Sequence, residues 1–227
     1  MKKKKVKKRR RINYKRLTIL ILGIYLFITL FVYFLELPIK NINIHNNQVL
    51  SDQTIIELAG ISNYPSTFRF LSPIIKNKLE KSVYILEAKV YKKYLTEVHI
   101  EVVENKPLFF YKSRNKTILM DGQEVDDKFM VPTLINYVPN IKYNELIDKM
   151  KNIENDVLIR ISEIKYDPNE VDDSRFFLSM NDGNYVYINI GRFENINNYI
   201  DIIKKFDNKK GILYLDYGNS FTIIEDK

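Results

Sequence analysis

Residues able to do chemistry are sparse in this sequence and do not cluster. The two histidines, His45 and His99, lie in separate segments that alternate polar and apolar residues, with no carboxylate or second imidazole at metal-ligand spacing. They read as surface imidazoles. The run Asp167-Pro168-Asn169-Glu170-Val171-Asp172-Asp173 offers oxygens at partial calcium-loop spacing, but it lacks the central Gly and distal Glu of such a loop and reads as a solvated turn. There is no Gly-rich phosphate loop and no Ser in a nucleophile-elbow pattern. Cysteine is absent, which excludes disulfides and thiolate-based zinc or redox chemistry. Paired carboxylates for glycoside hydrolysis need only meet in space, yet nothing singles out a pair. The expectation is no catalytic residue, no metal ligand and no cofactor.

What positions these residues is a membrane anchor. Leu17–Leu35 reads LTILILGIYLFITLFVYFL without a charge, and at ~1.5 Å per helical residue it covers about 28 Å, close to a bilayer's hydrocarbon core. The formal charge of +8 is unevenly spread. Residues 1–16 hold eleven Lys and Arg and no acid, which leaves 25 bases against 28 acids in the remainder. The pI near 9.3 therefore belongs to the tail and does not argue for a nucleic-acid-binding domain. Positive charge beside a span stays in the cytoplasm, so the N-terminus is expected inside and residues beyond about 38 outside. Phe34-Leu35-Glu36-Leu37-Pro38 offers no small-x-small cleavage site, and an uncleaved, single-pass type II anchor is expected. The tail reads as a topology signal, with adhesion to anionic headgroups as a sharper alternative.

Past Pro38 the pattern turns to short elements. Ile42 and Ile44 alternate with polar residues as a strand, and Asn46-Asn47 is a turn. Ser51 caps a short helix that Gly60 ends, and Ser72-Pro73 is the start signature of a second helix with Ile74, Ile75 and Leu79 as its apolar positions. Two period-2 runs follow, Ile85–Tyr91 with Leu86, Ala88 and Val90 on one face, and Thr96–Val103 with Val98, Ile100 and Val102. This β-α-α-β-β order makes a two-layer domain of three strands beneath two helices.

Glu104-Asn105-Lys106-Pro107 reads as a hinge into a strand-rich half. Its strands are expected at Leu108–Tyr111, Thr117–Met120, Ile159–Tyr166, Arg175–Met180, Tyr185–Ile190, Ile212–Tyr217 and Phe221–Ile224. Asp121-Gly122 is a turn, and Asn181–Asn184 joins a hairpin. Val131–Tyr137 is Pro-bounded and reads as an irregular or edge segment. Two helices are expected, Asn144–Ile153 and one capped by Asn195. The expected fold class is α+β, divided into a cytoplasmic tail (1–16), a transmembrane helix (17–37), a β-α-α-β-β domain (38–106) and a β domain (107–227).

Three motifs carry a family resemblance. They are Ile42-Asn43-Ile44-His45-Asn46-Asn47 with Leu50-Ser51, then Val102-Val103-Glu104-Asn105-Lys106-Pro107-Leu108, then Leu119-Met120-Asp121-Gly122-Gln123-Glu124-Val125 followed by Val131-Pro132-Thr133-Leu134. In this order, behind such an anchor, the chain resembles the bacterial cell-division family FtsQ/DivIB, with the β-α-α-β-β module as its POTRA domain. The resemblance implies a non-enzymatic divisome scaffold at the septum. It would bind FtsL-like and FtsB/DivIC-like bitopic proteins and help recruit or regulate septal peptidoglycan synthesis, with septal transpeptidase and glycosyltransferase as further partners and no nucleic acid. A terminal strand with an open edge can accept a partner strand, which makes Tyr217, Phe221, Thr222, Ile223 and Ile224 the candidate docking residues. Two alternatives stay open: an anchored extracytoplasmic cell-wall hydrolase using Asp or Glu, and a POTRA-type chaperone of secreted chains.

Overall fold

The computed structural model describes residues 13–207 and 209–224; most of the basic tail lies outside that range. Two compact units divide between Glu104 and Asn105. The first begins with α1 (Tyr14–Leu35), which starts earlier than the apolar run because Asn13 caps it, its side chain accepting from the Arg16 amide at 3.4 Å. α1 has no buried residue. It is the one helix among the described residues long and apolar enough to cross a membrane.

β1 (Asn41–His45), α2 (Asp52–Ala59), α3 (Ser72–Leu79), β2 (Ile85–Lys93) and β3 (Glu97–Glu104) complete the unit. The sheet order is β1-β3-β2, with β1 parallel and β2 antiparallel to β3. Ile55, Ala59, Ile75, Leu79, Val98, Ile100 and Val102 form the core between helices and sheet. Ser51 accepts from the Thr54 amide, and Gly60 closes α2 at φ 68°, the left-handed conformation glycine adopts without steric cost. The other helix corrects the sequence reading. Leu71, not Ser72, is the N-cap of α3 and makes no side-chain cap bond, and Ile74 is exposed while Ile75 and Leu79 are buried. Leu86 is also exposed, because a register shift between Ile85 and Glu87 puts Ile85 inside and turns Leu86 out.

Two clusters of contacts hold this unit together at its ends. Where the chain leaves α1, the Ser66 hydroxyl donates to the Leu35 carbonyl at 2.5 Å, the Thr67 amide to the Leu37 carbonyl at 2.8 Å, and the Thr67 hydroxyl to the Leu95 carbonyl at 2.5 Å. Phe34 packs on Phe68 with ring centroids 4.7 Å apart, and Arg69 pairs with Glu36 at 3.3 Å. The Lys92 ammonium donates to the Thr67 and Phe70 carbonyls, and burial lowers its pKa. At the opposite end, the buried Glu104 carboxylate accepts three backbone N–H groups, from Gln48, Val49 and Leu50, at 2.8–2.9 Å. It thereby ties the end of β3 to the loop between β1 and α2.

The second unit holds β4 (Pro107–Tyr111), β5 (Lys116–Leu119), β6 (Glu124–Val125), β7 (Thr133–Leu134), α4 (Asn140–Met150), α5 (Asn155–Leu158), β8 (Ile161–Tyr166), β9 (Arg175–Met180) and β10 (Tyr185–Asn189). A 3₁₀ segment (Ile190–Asn198), α6 (Tyr199–Lys204), β11 (Gly211–Tyr214) and β12 (Ser220–Ile223) follow. One nine-stranded sheet runs β12-β11-β10-β9-β8-β7-β4-β5-β6. β10 and β11 are parallel, so the chain must cross over between them, and the 3₁₀ segment with α6 is that crossover. Phe109, Leu146, Phe176, Ile188, Phe193 and Leu213 sit in the shared core.

The helical content exceeds the two helices expected from sequence. α5 precedes β8, and Asn195 lies inside the 3₁₀ segment, which starts earlier with Asn189 capping the Gly191 amide at 2.8 Å. Val131–Tyr137 is no edge. β7 sits between β4 and β8, parallel to both. Pro132 does not obstruct this, because its carbonyl accepts from the Phe110 amide at 2.9 Å and no N–H is required of it.

Tyr143 of α4 is buried against Phe109, Tyr111 and Arg114. Burial pushes its phenol up to about 12, and its hydroxyl has no hydrogen-bond partner among the described residues. An unmade bond costs more than its absence, so Tyr143→Phe should leave stability unchanged or raise it by up to about 1 kcal/mol, read by urea denaturation of the extramembrane fragment. In the same measurement Glu104→Ala, which strands three amides, should cost about 3 kcal/mol.

Candidate partner-docking edge

Every sheet has two last strands, and the two ends of the nine-stranded sheet differ in charge. At one end β6 is only two residues long and is flanked by ion pairs, Arg114 to Glu124 and Lys116 to Asp126, both at 2.6 Å. Short, charged edges resist pairing with another chain. At the other end β12 pairs, among the described residues, with β11 alone, and none of its own residues is charged. Thr222, Ile223, Ile224 and Tyr217 are exposed, Tyr217 at 62%.

β12 is held from one side only. Phe221 points inward, stacks on Phe206 with centroids 4.6 Å apart, and its ring lies over Gly211. A Cβ on Gly211 would come within 2.3 Å of the Thr222 carbonyl oxygen and 2.5 Å of the Phe221 ring. Glycine is what lets the last two strands approach. The Gly211 amide donates to the buried Asn184 side chain at 2.7 Å, fixing the start of β11 to the β9–β10 hairpin. Because the Ile224 amide donates to the Lys210 carbonyl at 3.0 Å, the antiparallel alternation points the amides of Thr222 and Ile224 at β11. The same alternation leaves those of Phe221 and Ile223 on the open side. Beside the turn into β12 lies an open groove of about 370 Å³, lined by Asn195, Asn198, Asp201, Lys205 and Asn219.

The residues considered for catalysis or metal binding behave differently. The acidic loop is tied down rather than open. Asp167 pairs with Arg175 at 2.7 Å and Lys165 at 3.0 Å, and Asp172 accepts from the Ser174 amide and the Asn189 side chain. Asp173 lies 3.3 Å from Lys142, and hydrogen bonds from Ser174 and Lys142 hold its pKa below the usual carboxylate value. Among the described residues no group of three His, Cys, Asp or Glu side chains is placed to hold a metal ion. The histidines, read from sequence as separate, do meet. Parallel pairing of β1 with β3 brings His45 Nε2 within 3.3 Å of His99 Nδ1, and the His99 ring stacks on Tyr91. That contact depends on a long-range parallel register, for which the sequence carried no local signal.

Residues 37–105 match the FtsQ-type POTRA domain. The chain is 26% identical to the cell division protein DivIB of Bacillus subtilis, over 96% of this chain and 87% of that one. It is equally identical to the DivIB of Bacillus cytotoxicus, over 99% and 92%. Residues 37–105 thus have the pattern of an FtsQ-type POTRA domain, and the chain as a whole is similar to the DivIB cell division proteins. It is also similar to the major extracytoplasmic domain of DivIB from Geobacillus stearothermophilus, at 22% identity and a TM-score of 0.39, covering 47% of this chain and 97% of that one. With α1, the relationship to DivIB fits a single-pass membrane protein.

Gly211→Ala should detach β12 while leaving the core folded. The expected readout is faster hydrogen exchange at the Thr222 and Ile224 amides, with the amides of β9 unchanged.

Proposed function

We propose that this chain is a member of the FtsQ/DivIB family and a non-enzymatic divisome scaffold that accepts a strand from a small bitopic division protein along β12. In this reading residues 1–16 are a cytoplasmic tail and 17–37 the transmembrane helix. Residues 38–106 are then the POTRA domain and 107–227 the docking domain, both outside the membrane at the division septum. FtsL-like and FtsB/DivIC-like proteins are the partners, and septal transpeptidase and glycosyltransferase are recruited or regulated through them. The observation that carries the reading is the contrast between the two sheet ends, a short charged β6 and an uncharged, exposed β12.

Added strands gain affinity from backbone hydrogen bonds and specificity from alternate side chains. On β12 the inward side chain of Phe221 secures the strand, while Thr222 lies on the opposite face. The DivIB relatives are named as cell division proteins over nearly their whole length, which supports the divisome setting. A wall hydrolase would need free carboxylates flanking a sugar. Asp167, Asp172 and Asp173 are instead engaged with Arg175, Lys165, Lys142 and loop amides.

The test separates backbone from side chain. Ile223→Pro removes an amide from the open side of β12 without removing one that bonds to β11. It should abolish co-purification of the small bitopic proteins and the mid-cell band of a fluorescent fusion, with the fold intact by circular dichroism. Ile223→Val should retain both. Undiminished partner capture by Ile223→Pro would overturn the docking edge. Wall hydrolysis by the soluble fragment that disappears with Asp173→Ala would overturn the non-enzymatic reading.

A further inference from the structure

The β2–β3 connection is an unexpected place for large apolar residues. Tyr94 (φ 49°) and Leu95 (φ 62°) are consecutive left-handed residues, a conformation that favours glycine and asparagine. Both face solvent, Tyr94 at 85% exposure and Leu95 at 53%. The observed outlier invites a functional explanation.

Its location supplies one. Thr67 bonds the Leu37 carbonyl through its amide and the Leu95 carbonyl through its hydroxyl, and the Lys40 amide bonds the Thr96 carbonyl. The hairpin tip is thus two hydrogen bonds from a residue just beyond the end of α1. Twenty-two helical residues span about 33 Å, so the end of α1 lies at the rim of a hydrocarbon core about 30 Å thick. Anything within a few ångströms of Leu37 sits in the headgroup layer. Leu71 is also exposed, and Lys92 of the hairpin holds the carbonyl of its neighbour Phe70. Arg69, paired with Glu36 at 3.3 Å, adds a cation two residues before Leu71. Aromatic, aliphatic and cationic side chains together are the composition of an interfacial anchor.

We propose that the Tyr94-Leu95 tip, with Leu71, inserts into the headgroup–acyl boundary of the leaflet from which α1 emerges. This gives the first unit a second, non-covalent hold on phospholipid. The proposal rests on α1 spanning the bilayer.

The absence of native cysteine makes the test direct. Full-length L95C, L86C and F27C, each labelled with an environment-sensitive fluorophore, are reconstituted into phosphatidylethanolamine–phosphatidylglycerol vesicles containing lipid with a nitroxide near the carbonyl end of one acyl chain. Leu86 is exposed on the same strand pair but at its far end, about 23 Å along β2 from the hairpin turn. The expected result is quenching at position 95 several-fold stronger than at 86, together with loss of quenching at 95 by aqueous iodide. Equal lipid quenching at 95 and 86 overturns the proposal. Protection from iodide without lipid quenching also overturns it, since a protein contact would then cover the tip. Quenching of F27C by aqueous iodide overturns the membrane span itself and the proposal with it.

Discussion

A β-ladder that stops must leave one row of amide and carbonyl groups to water or to another chain, and the second unit is shaped by how it treats that row. Water satisfies such groups well enough for folding, so an open edge costs little stability; the risk is unwanted pairing. β6 answers with brevity and two ion pairs; in the first unit, the edge strand β2 carries a register shift and several charges. β12 has neither device. What it has is an anchor, Phe221 laid over Gly211 and against Phe206, which keeps the strand in register while its other side pairs with no strand among the described residues. The inward grip and the outward opening are two faces of one four-residue element.

The first unit is governed by the bilayer instead. Its chain leaves α1 through a set of short bonds around Ser66 and Thr67, so the small sheet starts directly beyond the apolar helix. Glu104 closes the other end, collecting three amides from the loop after β1. A carboxylate in such a nest explains in physical terms why an acid stands in the Val-Glu-Asn-Lys-Pro motif, which the sequence offered only as a pattern of letters.

How much was legible depended on how local the determinant was. Ser51 and Gly60 fix α2 within a single helix, and both were readable in the chain order. Val98, Ile100 and Val102 were readable because strict alternation meets no irregularity. Leu86 was misread because a register shift is set by the partner strand, not by the strand's own residues. β7 was misread because a two-residue strand has no period, and its place in mid-sheet comes from the parallel neighbours β4 and β8. The meeting of His45 with His99 needed the register of β1 on β3. The candidate edge was half legible: the last strand was identifiable, but its lack of charge mattered only against the charged β6 at the other end.

β7 also carries a mechanical meaning. The nine-stranded sheet is continuous only through Thr133 and Leu134, with Phe110, Lys112 and Ile135 contributing backbone bonds on either side. The Asn136 side chain extends the ladder by bonding both the amide and the carbonyl of Tyr166 at 2.8 Å. Load applied at β12 therefore crosses four well-paired strands before it reaches a narrow weld. A pull on β12 would be spread through β8 to β11 and concentrated at that weld, making it the fuse of the sheet and β12 the handle.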